Sequence, residues 1–219
     1  MILLIDTSQE TGTVALSAEG IVLFAEENKV AKEAASWLHP AIGRLLAQAK
    51  IALRELEAVA VVAGPGSYTG LRVGMAAAKG FCYALKIPLI TQNTLRVMAE
   101  SMQSIAKEKG ALICPLIDAR RDEVFTALYE PDMREILIPQ ALILDKYSFE
   151  VQLSRSPILF FGSGAAKWEK ITNAPNAIFI PQQSVIHAFA KIVQQDFKSG
   201  NWADPIYSEP VYLKEFFSY

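Results

Sequence analysis

Three short segments carry residue types that could handle a phosphate. Asp6-Thr7-Ser8 closes an apolar run at the start of the chain. A carboxylate and two hydroxyls on a loop leaving a strand could hold an anion through hydroxyl and backbone N–H groups. The same residues also suit a tight hairpin turn, with Asp accepting from a nearby amide. Asp118 closes a second apolar run, Leu116-Ile117-Asp118, and is followed by Arg120 and Arg121. Those arginines could bind an anion or form a solvated turn. The third segment is Gly64-Pro-Gly-Ser-Tyr-Thr-Gly70. A phosphate-binding P-loop needs Lys and a hydroxyl residue after its last glycine, whereas Gly70 is followed by Leu71 and Arg72. The helix it opens could hold an anion at its N-terminus. No general base, nucleophile or metal ligand lies nearby in sequence, which favours a close strand-to-helix crossover. Phe161-Gly162-Ser163-Gly164 is a GxG after a strand and is similar to an adenosine-contact loop.

Other chemistries have thinner support. His39 and His187 are the only histidines, and no HxxxH, HExxH or CxxC spacing is present. Cys82 and Cys114 read as two reduced thiols. No GxSxG elbow accompanies the serines. The expectation is therefore no catalytic residue, no metal and no cofactor.

Positioning these segments requires alternating elements. Met1–Asp6, Thr13–Ala18 and Gly20–Glu26 read as a meander of three strands. Ala31, Ala34, Ala35, Leu38, Ile42, Leu45, Leu46 and Ala49 recur at three and four, which predicts an amphipathic helix over 32–50, kinked or restarted at Pro40. Ala58–Ala63 is a buried strand, and the glycine-rich loop leads into a helix reaching about Lys86. Ile87–Gln92 is a strand and Thr94–Lys109 a helix. The pattern then restarts: strands at 111–118, 123–129 and 135–143, a short helix in 145–153, strand 157–162, helix 163–171, strand 177–180 and helix 184–197. Leu4-Ile5-Asp6 and Leu116-Ile117-Asp118 are 112 residues apart, as are Ala15-Leu16 and Ala127-Leu128. A duplicated meander followed by helices and strands predicts α/β architecture: two actin-like ATPase (ribonuclease H-like) halves with mixed β-sheets flanked by helices. The expected halves are 1–108, with the tail 205–219 packed on it, and 109–204.

Composition narrows the class. Of 219 residues, 52% are hydrophobic and 20% charged, enough apolar content for a real core. With 21 basic and 23 acidic residues the net charge is −2, a poor balance for a stand-alone nucleic-acid binder. Contact with RNA would need a partner's surface. No basic leader or membrane-length apolar run is visible, which predicts a cytoplasmic protein.

The helix after the glycine-rich loop has only Arg72, Lys79 and Lys86 as charges, seven apart. Gly70, Gly74, Ala78 and Cys82 form a small-residue stripe. A helix apolar nearly all round must be covered on more than one side, so the first two long helices are expected to form a subunit interface. Its expected anchors are Trp37, Ala41, Val73, Ala76, Ala77 and Gly80, with Arg72 at the rim.

At Asp6-Thr7-Ser8, Gly64-Pro-Gly-Ser-Tyr-Thr-Gly-Leu-Arg-Val-Gly74, Ile117-Asp-Ala-Arg120 with Glu123-Val-Phe, and Glu209-Pro-Val-Tyr-Leu213, the chain resembles the TsaB (YeaZ) family. The match runs in order along nearly the whole chain, and the glycine-rich segment is its most specific part. The resemblance implies an actin-like fold without catalysis, in which Asp6, Thr7, Ser8, Asp118, Gly162 and Gly164 are remnants of phosphate and adenosine loops. It implies pairing with the catalytic relative TsaD, which carries the HxxxH absent here, and with the ATPase TsaE. It also implies a homodimer when the chain is alone, and tRNA contact only through the complex. That complex transfers threonylcarbamoyl to adenosine 37 of tRNAs that read codons starting with A. Two departures stand out: Ala34 or Ala35 where many relatives have a His, and an aromatic tail of Phe216, Phe217 and Tyr219. The rival readings are an active ATP-dependent small-molecule phosphotransferase of the same fold, with Asp6 or Asp118 as its acid, and a generic dimerisation module.

Overall fold

The computed structural model describes residues 1–29 and 33–214. The expected helix start at Lys32 and the stripe residue Ala31, with Phe216, Phe217 and Tyr219 of the tail, lie outside the described residues. Two compact units emerge: Met1–Thr94 with Ile186–Val211, and Leu95–Val185 with Tyr212–Tyr219.

In the first unit, β1 (Ile2–Asp6), β2 (Gly12–Ala18), β3 (Ile21–Asn28), β4 (Ala58–Gly64) and β5 (Leu89–Asn93) form a sheet in the order β3-β2-β1-β4-β5. The first three strands are an antiparallel meander, and β4 and β5 run parallel to β1. β1 and β4 are buried along their whole length, as near-continuous apolar runs under a doubly covered sheet should be. α1 (Ala34–Ala49) links β3 to β4 and buries Leu38, Ala41, Ile42 and Leu45, one face at helical spacing. Pro40 neither ends nor restarts it. α2 (Tyr68–Leu85) links β4 to β5.

The second sheet repeats the plan. β6 (Leu112–Asp118), β7 (Glu123–Tyr129), β8 (Glu135–Ile143), β9 (Ile158–Phe161) and β10 (Ala177–Phe179) lie in the order β10-β9-β6-β7-β8. Both sheets therefore have the strand order 3-2-1-4-5 when numbered within their own half, and Leu4–Asp6 and Leu116–Asp118 end equivalent strands. Its crossover helices are short: α5 (Glu150–Leu153) has 4 residues and α6 (Ala165–Glu169) has 5, against 16 and 18 for α1 and α2. Trp168, Phe149, Phe160 and Phe179 fill the space between helix and sheet as an aromatic cluster.

The second pair of identities in the repeat is not structurally equivalent. Asp6 opposes Thr13, whereas Asp118 opposes Val124, a hairpin shorter by one residue. Leu4 faces Ala15, but Leu116 faces Thr126 rather than Ala127. The expected single helix over 94–109 is two, α3 (Thr94–Ser101) and α4 (Gln103–Lys109), parted at the fully buried Met102. Leu95, Met98, Ala99, Met102 and Ala106 all pack with Ile113 and Tyr129 of the second unit. The last helix, α7 (Ile186–Ser199), packs on β2, β3 and β5 of the first. This division differs from the expected one at residue 108 because periodicity marks where a helix lies in the chain, not which sheet it covers. Among the described residues, no helix is long and apolar enough to cross a membrane.

Candidate functional site

The loop after β1 is closed on itself. Ser8 donates its amide to Asp6 Oδ1 at 2.9 Å and its hydroxyl to the same oxygen at 2.6 Å. The Ser8 carbonyl accepts from the Ser67 amide at 2.7 Å, and Thr7 Oγ1 donates to the Gly70 carbonyl at 2.7 Å. Asp6, Thr7 and Ser8 are all buried. Burial raises the Asp6 pKa above the usual carboxylate range, against the two Ser8 hydrogen bonds that lower it.

The glycine-rich segment makes this closure possible. A Cβ on Gly66 would lie inside 3.0 Å of the Ser8 carbonyl, one on Gly70 equally close to the Thr7 carbonyl, and one on Gly74 to Thr7 Oγ1. No side chain tolerates such an approach, so only glycine lets the loop rest against the start of α2. Ser67 caps that helix, accepting from the Gly70 amide at 3.3 Å. Gly64 has φ +120, and a Cβ there would meet the Val211 carbonyl. Val211 in turn donates its amide to the Ala63 carbonyl at 2.7 Å. Val211 is thus seated at the end of β4, a pairing that no sequence spacing announces.

The equivalent loop after β6 is held by a lysine. Lys167 of α6 donates to Asp118 Oδ1 at 2.6 Å, to the Arg121 carbonyl at 2.5 Å and to the Glu123 carbonyl at 3.2 Å. Asp118 Oδ1 also accepts from the Arg120 amide at 2.6 Å, the same turn that Asp6 makes with Ser8. Partial burial opposes ionisation of Asp118, but Lys167 and the Arg120 amide win and hold its pKa below the usual value. Lys214 reaches Glu123 and the Ala119 carbonyl. Ser163 Oγ accepts from the Asp118 amide at 3.0 Å. Gly162 (φ +98) and Gly164 leave no room for a Cβ against Leu116 and Val124. Lys167 and Lys214 were not legible as site residues, since each is a lone lysine without a motif around it.

The thiols are inert by environment. Burial pushes Cys82 up to about 11 and Cys114 up to about 12, so both stay neutral at physiological pH.

The expected interface residues divide in two. Ala41 is fully buried, and Ala77 nearly so, both in the core of their own unit. They are removed from any exposed face. The small stripe Gly70, Gly74, Ala78 and Cys82 is buried too, turned inward rather than toward another subunit. Trp37 is half-buried, lies against Gly12 and donates Nε1 to Glu26 Oε1 at 3.1 Å. Arg72, Ala76 and Gly80 are exposed on α2 and Val73 half so, joined by Tyr83 at 82% exposure. A Cβ on Gly80, or on Gly43 of α1, would meet nothing within 4 Å.

Two linked sheets of the same order, each with an Asp turn after its first strand, define a duplicated actin-like ATPase-type α/β fold. An inorganic polyphosphate/ATP-glucomannokinase from Arthrobacter sp. strain KM shares that fold, with TM-score 0.52 and 14% identity over 89% of this chain and 98% of that one. Residues 27–193 match the family described as TsaD: tRNA N6-adenosine threonylcarbamoyltransferase. The tRNA threonylcarbamoyladenosine biosynthesis protein TsaB of Bacillus subtilis (strain 168) is 32% identical over 74% of this chain and 70% of its own length. The protein of the same name from Escherichia coli (strain K12) is 28% identical over 97% and 94%. YeaZ from Pseudomonas aeruginosa superposes with TM-score 0.78 at 26% identity, covering 97% of this chain and 99% of that one. Within the threonylcarbamoyltransferase-type family, the chain belongs to the TsaB (YeaZ) branch.

Proposed function

We propose that this protein is a non-catalytic subunit of the assembly that forms threonylcarbamoyladenosine on tRNA, supporting a catalytic relative of the TsaD type. The observation that carries the reading is the internal filling of both hairpin loops. Groups that a nucleotide-using member of this fold would turn toward phosphate are engaged here by Ser8, Ser67, Gly70, Lys167 and Ser163. The names of its relatives supply the pathway.

The partner surface in this reading is the outer face of α1 and α2, with Arg72, Val73, Ala76, Gly80 and Tyr83 on α2 and Gly43 on α1. An exposed glycine inside a helix costs about 1 kcal/mol relative to alanine. Neither Gly43 nor Gly80 is required by its own unit. Close approach of another backbone is a reason for both. A relative with the same fold presents similar helices, so it replaces a second copy of this chain at the same face; TsaE joins that pair, and tRNA is bound through the complex in the cytoplasm. Co-expression with the organism's TsaD-type protein tests this. The two should co-purify in equal amounts, and Gly80→Glu should abolish recovery while leaving the melting temperature within a few degrees of wild type. Equal recovery of the variant would place the partner surface elsewhere.

A further inference from the structure

The turn between β6 and β7 departs from what its backbone asks for. Arg120 (φ 66) and Arg121 (φ 51) both lie in the left-handed region, where glycine, asparagine and aspartate are at home. Two arginines at successive left-handed positions gain nothing visible for the fold. Both are exposed, and among the described residues neither guanidinium has a hydrogen bond or ion pair. The equivalent loop of the first hairpin has no positive-φ residue.

The turn is nevertheless rigid. Lys167 takes the Arg121 and Glu123 carbonyls, Lys214 the Ala119 carbonyl, and Asp118 the Arg120 amide. The Ala119 amide donates to the Glu123 carbonyl and the Glu123 amide to the Arg120 carbonyl. Two nearby acids are already ion-paired, Asp118 with Lys167 and Glu123 with Lys214, and the Arg120 guanidinium acts on Asp118 only through space. Asp122 remains as the one other acid of the loop. A fixed backbone thus presents two adjacent guanidinium groups that no carboxylate among the described residues holds by a hydrogen bond or ion pair, the arrangement that suits a polyanion with regularly spaced phosphates. A strained position kept at a rigid tip, with no return to the fold, points to a function.

We infer that Arg120 and Arg121 contact the phosphodiester backbone of the RNA substrate within the assembled complex. This rests on the functional reading above. Because the chain carries a net charge of −2, the contact is local, and the chain alone binds RNA poorly.

The test uses the chain assembled with its TsaD-type relative and an unmodified tRNA transcript, with affinity measured by fluorescence anisotropy across a range of sodium chloride concentrations. The variant is Arg120→Asn with Arg121→Gly, residues suited to left-handed backbone, so its melting temperature should equal or exceed that of wild type. Affinity near physiological salt should fall about tenfold, and the salt dependence should become shallower by one to two released counterions, roughly one per lost phosphate contact. Unchanged affinity and unchanged salt dependence would overturn the proposal. So would a folded variant that no longer recovers the TsaD-type protein, because the arginines would then grip protein carboxylates. If the wild-type chain recovers no such partner, the functional reading itself fails and this inference with it.

Discussion

Gly70 and Gly80 lie on one helix and face opposite demands. A Cβ on Gly70 would collide with the Thr7 carbonyl, a fixed backbone atom, whereas one on Gly80 would meet open space. Gly70→Ala should therefore destabilise the protein by about 3 kcal/mol or more, since overpacking against backbone forces the loop to move. Urea unfolding followed by circular dichroism checks this, and a loss below 1 kcal/mol would contradict the closed loop. Asp6 supplies a second prediction at this scale. Its pKa in the fold is raised from 3.8, so the folded protein holds that proton more tightly than the unfolded chain does. The neutral form is the favoured one when buried. Asp6 thus weighs least on stability below the ordinary carboxylate range, and stability falls as pH climbs through the folded value. Asp6→Asn keeps an oxygen for Ser8 and removes the charge. The stability difference between variant and wild type should shift in the variant's favour as pH rises from about 3 to 7, a range set by ordinary carboxylate titration. A difference flat across that range would mean that Asp6 titrates normally. The Asp turns, unlike the lysines that guard one of them, were legible, because an Asp-x-Ser or Asp-x-Arg turn is local chemistry.

At the scale of elements, α2 joins an inward face of close packing to an outward face of unexplained economy. The small stripe was visible in the sequence, but its direction was not. Small residues permit close approach by anything, and only the fold reveals that Gly70 and Gly74 receive the Asp6-Thr7-Ser8 loop of their own unit. Ala41 and Ala77 were misplaced for the same reason: an alanine serves core and interface equally well. The outward glycines separate the two roles by sign. Gly43→Ala with Gly80→Ala should stabilise the isolated chain by about 1 to 2 kcal/mol, through helix propensity alone. It should at the same time weaken pairing at this face, because two methyl groups stand where backbones approach. Thermal melting at low concentration and sedimentation velocity across a concentration series measure the two effects separately. A variant more stable and equally well associated would show that the glycines serve no interface.

At the scale of the molecule, the duplication was legible where strands are continuous apolar runs ending in Asp, and hidden where contacts are long-range. The hairpin of the second half is one residue shorter than that of the first, so a fixed offset finds β1 in β6 but slips by one in β7. Nor can periodicity report that α7, which follows the second sheet in the chain, covers the first. The same duplication frames the functional account. The crossover helices of one half have 16 and 18 residues and those of the other 4 and 5, and the docking face proposed above lies on the longer pair, α1 and α2. Both hairpin loops are filled by the chain's own groups, so an isolated chain should show no low-micromolar magnesium–ATP site by calorimetry, as an active phosphotransferase would. The most direct test of the subunit reading is a reconstituted threonylcarbamoylation assay with the TsaD-type relative, TsaE, a tRNA substrate and an activated threonylcarbamoyl donor. The chain is added from zero to excess. Product formation should require the chain and saturate at one chain per transferase, and Gly80→Glu should not restore it. Full activity without the chain, or transferase activity from the chain by itself, would contradict the account.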